Sequence, residues 1–376
     1  MSYRMSIVLY APGEGGVFAE DAPLPDISTR VASYQHTISA TLGFESMSAA
    51  FPGTLADAVY WAAQLMAGIV VYGSDGAVAW EGYLSRVEIN LGQRQRAIGM
   101  DKMANRVKTR YTTVNGVSGV TVGANDVTSL ARYGAKDHVL ALPTTTSTGA
   151  AQYEESYLSA HAFPVMEPTT RLETGNSDAV TITLIGAGWG TTLDWVVTSS
   201  ATTSTAVTTA QVASLLADYN AVNVFLNTTT RITASGISDT QYIQADTTYR
   251  AAIERLLVQG NGVARYAWGV YEDRIFWAQP WAGFTPEAIT YRGRFGSQAR
   301  IYGTNGNLIM PWSVRPDTMY EEVDLLDIAG LSSYADAAAR HYVERVNFTL
   351  APDAYSVDME PAETDDLTAR LARFGG

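Results

Sequence analysis

The chain has 376 residues, 25 of them basic and 38 acidic, for a formal net charge of −13. That length exceeds what one core usually serves, so two or more domains are expected, and the acidic balance excludes a nucleic-acid-binding surface, which needs clustered Lys and Arg against phosphates. Cysteine is absent, which removes disulfides, thiolate chemistry and Cys-based zinc sites; charged residues make up only 17% of the chain while Tyr occurs 21 times, a bias of the kind found in buried interfaces.

The first ten residues, Met1-Ser-Tyr-Arg-Met-Ser-Ile-Val-Leu-Tyr10, alternate as a strand does and lack the apolar core of a secretory leader. No run approaches the roughly 18 apolar residues that span a bilayer, so the chain is expected to be kept soluble. Tyr34 to Phe51 predicts a strand interrupted at Gly43, where a bulge or a close backbone approach is the usual meaning, and Pro52-Gly53 stops it. Thr54 is placed to cap a helix through Leu55, Ala58, Val59, Ala62, Leu65 and Met66, which Gly68 ends. Ile69 to Leu84 reads as a hairpin turning at Asp75-Gly76, and Val87 to Leu91 as a further short strand. That hairpin carries Tyr72, Trp80 and Tyr83, which suit either an aromatic ligand site or the core of an assembly.

Thr121 to Phe163 is less regular: Pro143 to Gly149 has the composition of a flexible connector, and a short helix is expected over Tyr153 to Ala160. Val180 to Trp195 gives a strand running into a helix start, and a Thr/Ser-rich run, Thr198 to Thr209, separates it from a helix at Ala210 to Tyr219. A further helix, with Asp246 at its cap and Tyr249, Ile253, Leu256 and Leu257 on one face, ends at Gly260. Val263 to Trp277 predicts another hairpin, turning at Glu272-Asp273. Arg96 to Val107 and Thr183 to Asp194 echo one another, each a strand that reaches Ile-Gly (Ile98-Gly99, Ile185-Gly186) and breaks into a helical turn, as two copies of one unit would. The fold class is therefore α+β, mainly β, built from short strands.

Gly186-Ala-Gly-Trp-Gly190 invites a dinucleotide-binding reading, but a fingerprint of that kind wants its third Gly where Thr191 stands, and Trp189 would crowd a phosphate. A structural turn is preferred. His36, His138, His161 and His341 are scattered without metal-ligand spacing, and no G-x-S-x-G elbow supports a triad. Glu321-Glu322 with Asp324, or Glu154-Glu155, could serve a glycosidase as paired carboxylates, although acidic runs are usually solvated faces. Trp268, Trp277, Trp281 and Tyr291 suit either carbohydrate stacking or a hairpin buried against a helix or neighbour, and the second reading is favoured.

Taken together, the strand pair Ile38 to Phe51 with its Gly43-Phe44 break, the hairpin ending Val78-Ala-Trp-Glu-Gly82, and the strand reaching Ile98-Gly99 resemble the minor tail proteins of long-tailed phages, specifically the baseplate-hub or tail-tip family. Thr247-Thr-Tyr-Arg-Ala-Ala-Ile-Glu-Arg-Leu-Leu257 followed by Trp268-Gly-Val-Tyr271, and the late strand Val343-Glu-Arg-Val-Asn-Phe348, continue the likeness. The resemblance implies two small tail-tube-like β-barrel domains with additional α/β lobes. The expected division is 1–112 for the first barrel, 113–170 for a connecting segment with a short helix, 171–320 for a second barrel unit with an inserted α/β lobe, and 321–376 for C-terminal strands and a helix docking on the barrels. It implies a virion protein, assembled in the host cytoplasm, three copies of which form a hub ring joining a sixfold tube to a threefold tip and lining the DNA exit channel. The implied partners are its own copies, a distal tail or tube ring above, and a tip or fibre protein below; DNA passes without specific binding. No catalytic, cofactor-binding or metal residue is implied, and Tyr72, Trp80, Tyr83, Trp268, Trp277 and Trp281 are candidates for the assembly interface. The alternatives are a tail-associated carbohydrate-binding or hydrolase module, and a sixfold distal tail ring.

Overall fold

The computed structural model describes residues 5–13, 18–91, 94–172, 180–238, 240–261, 266–280, 288–292, 300–302, 308–309, 319–321, 340–351 and 354–361. β1 (Ser6–Pro12) turns Ile7 and Leu9 into the core and pairs with β2 (Phe18–Pro23). β3 (Ser33–Ser39) and β4 (Gly43–Gly53) form a hairpin, not one interrupted strand: the chain reverses over 40–42, and Gly43 follows at φ 75°, a conformation that a side chain disfavours. α1 (Leu55–Ala62) starts from a capping box, in which the Thr54 hydroxyl accepts the Asp57 N–H and the Asp57 carboxylate accepts the Thr54 N–H. It ends earlier than its apolar periodicity predicts, and Met66 closes the following turn at φ 76°.

β5 (Gly68–Tyr72) and β6 (Val78–Leu91) make the expected hairpin. Gly76 supplies the positive φ, 81°, and the Asp75 carboxylate accepts the Ala77 N–H. β6 then runs on for 14 residues in all, absorbing Val87 to Leu91, which the sequence suggested was a separate strand. β7 (Arg94–Gly99) returns along its second half.

A small second sheet follows: β8 (Arg106–Thr112), β9 (Ser118–Val120), β10 (Ala124–Asn125), then α2 (Val127–Tyr133) and β11 (Asp137–Leu142), the last parallel to β8. α3 (Ser147–His161) lies across it. The Thr-rich stretch before α3 is no connector, because the Thr146 hydroxyl accepts the Gly149 N–H and caps the helix. β12 (Val165–Leu172) pairs with β7, and β13 (Val180–Gly188) enters the main sheet and ends in a 3-10 turn over Trp189–Asp194.

Beyond it come β14 (Thr202–Ser204), α4 (Thr208–Asn220), β15 (Thr230–Ile232), β16 (Gln241–Ile243) and α5 (Tyr249–Leu257). α5 is capped by Thr248 and not by Asp246, which sits at φ 64° and pairs with Lys108 and Arg110 on β8. β17 (Tyr266–Val270) and β18 (Phe276–Pro280) form the second hairpin. β19 (Ala288–Arg292), β20 (Arg300–Tyr302), β21 (Leu308–Ile309) and β22 (Met319–Glu321) make a short ladder onto β23 (Arg340–Ala351), which pairs with β24 (Ala354–Pro361) and β3.

The main sheet therefore runs β24-β23-β3-β4-β13-β6 and then divides. The first half of β6 pairs with β5, which leads to β1 and β2; the second half pairs with β7, which leads to β12. The division falls at Ser85, which the register with β13 skips as a bulge, so β6 bends where its outer partner changes. The fold is mainly β within an α+β class, and the described strands form open sheets with no closed barrel. The two echoed segments lie on opposite edges of β6, with Gly99 and Ile185 both opposite Arg86, so they share one level of one sheet.

Replacing both Asp75 and Gly76 by Ala should cost about 1–2 kcal/mol, the penalty for a Cβ in the left-handed region together with a lost turn hydrogen bond. Urea unfolding of the variant measures it, and an unchanged midpoint would show that this turn does not set the register.

Candidate functional site

Trp80 is fully enclosed, and Tyr83 and Trp268 are each 2% exposed, so these three aromatics are covered by their own chain without a neighbouring subunit. Tyr72 and Trp277 are partly buried, and Trp281 lies outside the described residues. The enclosed rings share one apolar core and pack there in groups. Trp80 packs beside Phe44 (ring centroids 6.4 Å), Phe44 meets Tyr271 edge-on (5.5 Å), and Tyr271 meets Trp277 (5.3 Å). Tyr83 contacts Trp189 (5.2 Å) and Trp195 (5.4 Å), both of which touch Phe225. The Tyr83 hydroxyl bonds Thr191 (3.1 Å), and the Tyr219 hydroxyl donates to Thr192 (2.6 Å), so these two buried hydroxyls are satisfied. Phe44, Trp189, Trp195, Tyr219 and Phe225 had no place in the sequence-level interface set; only the pair of Trp six residues apart around a helical turn hinted at them.

Gly186-Ala-Gly-Trp-Gly190 is not a turn throughout: β13 continues to Gly188, and its glycines recur at the strand period of two. A methyl group on Gly186 would stand 2.7 Å from the Trp80 ring, one on Gly188 only 1.6 Å from the Phe44 carbonyl oxygen, and one on Gly190 2.7 Å from that of Leu42. These positions admit an indole and two backbones, which accounts for their composition without a phosphate. The second hairpin docks at the same place, where the Trp268 N–H donates to the Ala40 carbonyl (2.7 Å) and the Val270 N–H to that of Leu42 (2.9 Å).

Glu81, beside Trp80 on β6, is 5% exposed and accepts the Asp273 N–H at 2.8 Å. Asp273 and Arg274 form the tip of the second hairpin at φ 58° and 59°, a left-handed pair without glycine, so the carboxylate holds a strained turn. Burial pushes the Glu81 pKa up to about 7, while the Asp273 N–H and the nearby Arg274 charge pull it back. Elsewhere, the Lys108 and Arg110 pairs with Asp246, and Arg106 with Asp137 (2.8 Å), join the small sheet to the segments before α5 and after the 3-10 turn, since Asp137 also accepts the Val197 N–H.

Buried His36 stacks on Phe348 (5.1 Å) and bonds the Tyr34 hydroxyl (2.9 Å). His138 and His161 sandwich Tyr157 (4.4 and 4.1 Å), and burial holds the His138 pKa below its ordinary value, with the charge of His161 adding to the effect. The side chain of His341, like Glu322 and Asp324, lies outside the described residues. Among those described, no three His, Asp or Glu are grouped to hold a metal. Glu154 is buried against the Thr121 hydroxyl while Glu155 faces solvent, so that pair does not converge.

What remains open is apolar. α1 exposes Leu55, Val59 and Tyr60, and the segment from the β8–β9 turn to α2 exposes Val114, Val117, Val120, Val122 and Val127. Two shallow grooves flank that segment, one of about 580 Å³ lined by Arg106, Leu130, Val222 and Val224, the other of about 650 Å³ lined by Arg110, Tyr111, Val120 and Leu142. No described helix is long and apolar enough to cross a membrane.

No family model and no curated protein matches the chain. Among solved structures it is similar to the tail protein from Neisseria meningitidis MC58, with 9% identity and a TM-score of 0.43 over 97% of each chain. It is also similar to the 43 kDa tail protein of prophage MuSo2 from Shewanella oneidensis, with 10% identity and a TM-score of 0.43 over 96% of this chain and 98% of that one. Both alignments run nearly end to end, at a level of similarity that assigns no function.

Two outcomes are expected of substitutions here. Gly188→Ala should destabilise the fold by about 3 kcal/mol or more, because backbone must move to admit the methyl group; stability equal to wild type in urea would show that β13 and β4 are not in contact there. For Glu81, the folded chain holds its proton more tightly than the unfolded chain between the ordinary value of 4.5 and about 7, so its contribution falls as pH rises through that window. Glu81→Gln keeps an acceptor for the Asp273 N–H and removes the titration. The variant should match wild type at pH 4 and exceed it by up to about 3 kcal/mol at pH 8, at 1.36 kcal/mol per pH unit; denaturation at the two pH values checks this, and a gap independent of pH would refute it.

Proposed function

We propose that this chain is a structural subunit of a phage-type tail, placed at the tip as a hub ring of three copies that joins the tube to the tip and surrounds the DNA exit path. The observation that carries an assembly role is the chain's open surface: Trp80, Tyr83 and Trp268 are spent on its own interior, yet two apolar patches, on α1 and on the valine-bearing segment, stand in solvent. Scattered exposed apolar residues are ordinary, whereas groups of them mark surfaces that meet other proteins. The hub position rests on the sequence resemblance, whose late strand Val343 to Phe348 lies within β23, which pairs with β3. The net charge of −13 suits a ring through which DNA slides without adhering. Enclosure of Trp268 weighs against the carbohydrate-stacking alternative, which needs its rings in the open. Tyr72 and Trp277, only partly buried, are retained as interface candidates.

Reconstruction of the particle that carries this chain tests the reading by copy number. Three copies about the tail axis are expected. Six symmetry-equivalent copies would favour a distal ring instead, and absence from the particle would end the structural reading.

A further inference from the structure

The tip of the second hairpin, residues 271–275, is held less firmly than the strand that leads into it. β17 is tied down by the Trp268 N–H and the Val270 N–H, which donate to the carbonyls of residues 40 and 42 at 2.7 and 2.9 Å. Within the tip the bonds are longer: the Tyr271 N–H reaches the Ile275 carbonyl at 3.2 Å, the Arg274 N–H that of Tyr271 at 3.1 Å, and the Ile275 N–H that of Glu272 at 3.3 Å. Asp273 and Arg274 stand at φ 58° and 59°, where a side chain disfavours the backbone. What fixes this turn comes from outside it. The Glu81 carboxyl accepts the Asp273 N–H at 2.8 Å, and Asn227, on the loop after α4, donates its backbone N–H to the Arg274 carbonyl (3.0 Å) and its side-chain amide to that of Asp273 (3.3 Å).

Glu81 is 5% exposed and sits in the apolar first half of β6. β5 sets Val70 opposite it, between Ile69 and Val71, and β13 ends opposite Gly82 on Ala187 and Gly188, so the strands beside it bring no charge. The charged groups that face it belong to the tip: Glu272 and Asp273, whose charges oppose its ionisation, and Arg274, whose charge favours it. A carboxylate here is deprived of water while the tip is down, and lifting the tip rehydrates it without breaking the sheet. The tip also gives way at least cost, because its release relieves two left-handed residues.

We infer that the tip is a latch, which stays down over Glu81 while the carboxyl is protonated and lifts when the carboxyl ionises, with β17 and β18 as its fixed base. Protonated, the carboxyl keeps its carbonyl oxygen for the Asp273 N–H and sets no charge against Glu272 and Asp273. Burial lifts the Glu81 pKa to about 7 with the tip down, against an ordinary 4.5 once water reaches it. The closed form therefore holds the proton more tightly, so closure is fully supported below the lower value and weakens as pH rises to the upper one. The opening constant should rise about tenfold between pH 6 and pH 8 and then level off. The device is complete within a single chain.

Hydrogen exchange on the full-length protein tests the latch, read by mass on fragments covering 271–275 and on fragments of β17, and corrected for the intrinsic effect of pH on amide exchange. Tip amides should exchange about tenfold or more faster than those of Trp268 and Val270, which marks opening of the tip alone, and their protection should fall about tenfold from pH 6 to pH 8. In Glu81→Gln, which keeps an acceptor but cannot ionise, tip protection should be the same at both pH values. Equal wild-type protection at pH 6 and pH 8 would overturn the inference, and this comparison needs no variant. Tip and β17 amides exchanging together, which signals unfolding of the whole chain, would overturn it too, as would a tenfold fall that persists in Glu81→Gln.

Discussion

The insertion of β13 between β4 and β6 is the constraint on which the rest of the structure depends. It supplies the only strand that joins the β3–β4 side of the sheet to the β5–β6–β7 side among the described residues. Gly186 and Gly188 at its end let the Trp80 ring and the Phe44 carbonyl approach, as Gly190 in the following turn does for the Leu42 carbonyl, and a methyl group at Gly188 would meet backbone. The bulge at Ser85 is the complementary device on β6. The Ser85 hydroxyl donates to the Ile185 carbonyl and its own carbonyl accepts the Met100 N–H, so the irregular residue is bonded on both sides while the strand changes partners.

The aromatic core converts this backbone arrangement into stability. Each enclosed large side chain contributes roughly 1.5–3 kcal/mol by burial, and rings in edge-on contact add to that. The rings come from β4, β6, the 3-10 turn, the loop after α4 and the second hairpin, so segments from both halves of the chain meet in one core. The second hairpin is fixed along β17 by hydrogen bonds to residues 40 and 42 and at its tip by Glu81.

Local chemistry was legible in the sequence wherever it alone decides the conformation. Asp75-Gly76 specifies its turn, and Thr54 with Asp57 specifies the start of α1, because the interacting groups lie within a few residues of each other. Asp246 shows the opposite case: its position before an amphipathic run suits a cap, but Lys108 and Arg110, far away in sequence, claim the carboxylate. Val87 to Leu91 looked like a new strand because the Ser85 bulge breaks the alternation of β6. The Ile-Gly echo marks two segments at the same level of one sheet, on opposite edges of β6, but β13 runs past Ile185-Gly186 to Gly188 whereas β7 stops at Gly99, so the two do not break alike. Burial of Trp80, Tyr83 and Trp268 could not be read from residue type, since aromatics suit core and interface equally. The valine ribbon passed unnoticed, although a charge-free run from residue 111 to 125 marks it.

The position of β13 also sets an order of events during synthesis. When the first hundred residues have left the ribosome, they can form two pieces of sheet but not the seam between them, because the strand that fills the gap begins at Val180. Until it arrives, the inner edges of β4 and β6 are unpaired, and such edges template pairing with other chains. Contacts this distant in sequence form slowly, since a long loop must close before they stabilise anything. A nascent chain of this protein therefore spends the interval between residue 100 and residue 188 as its own most reactive intermediate.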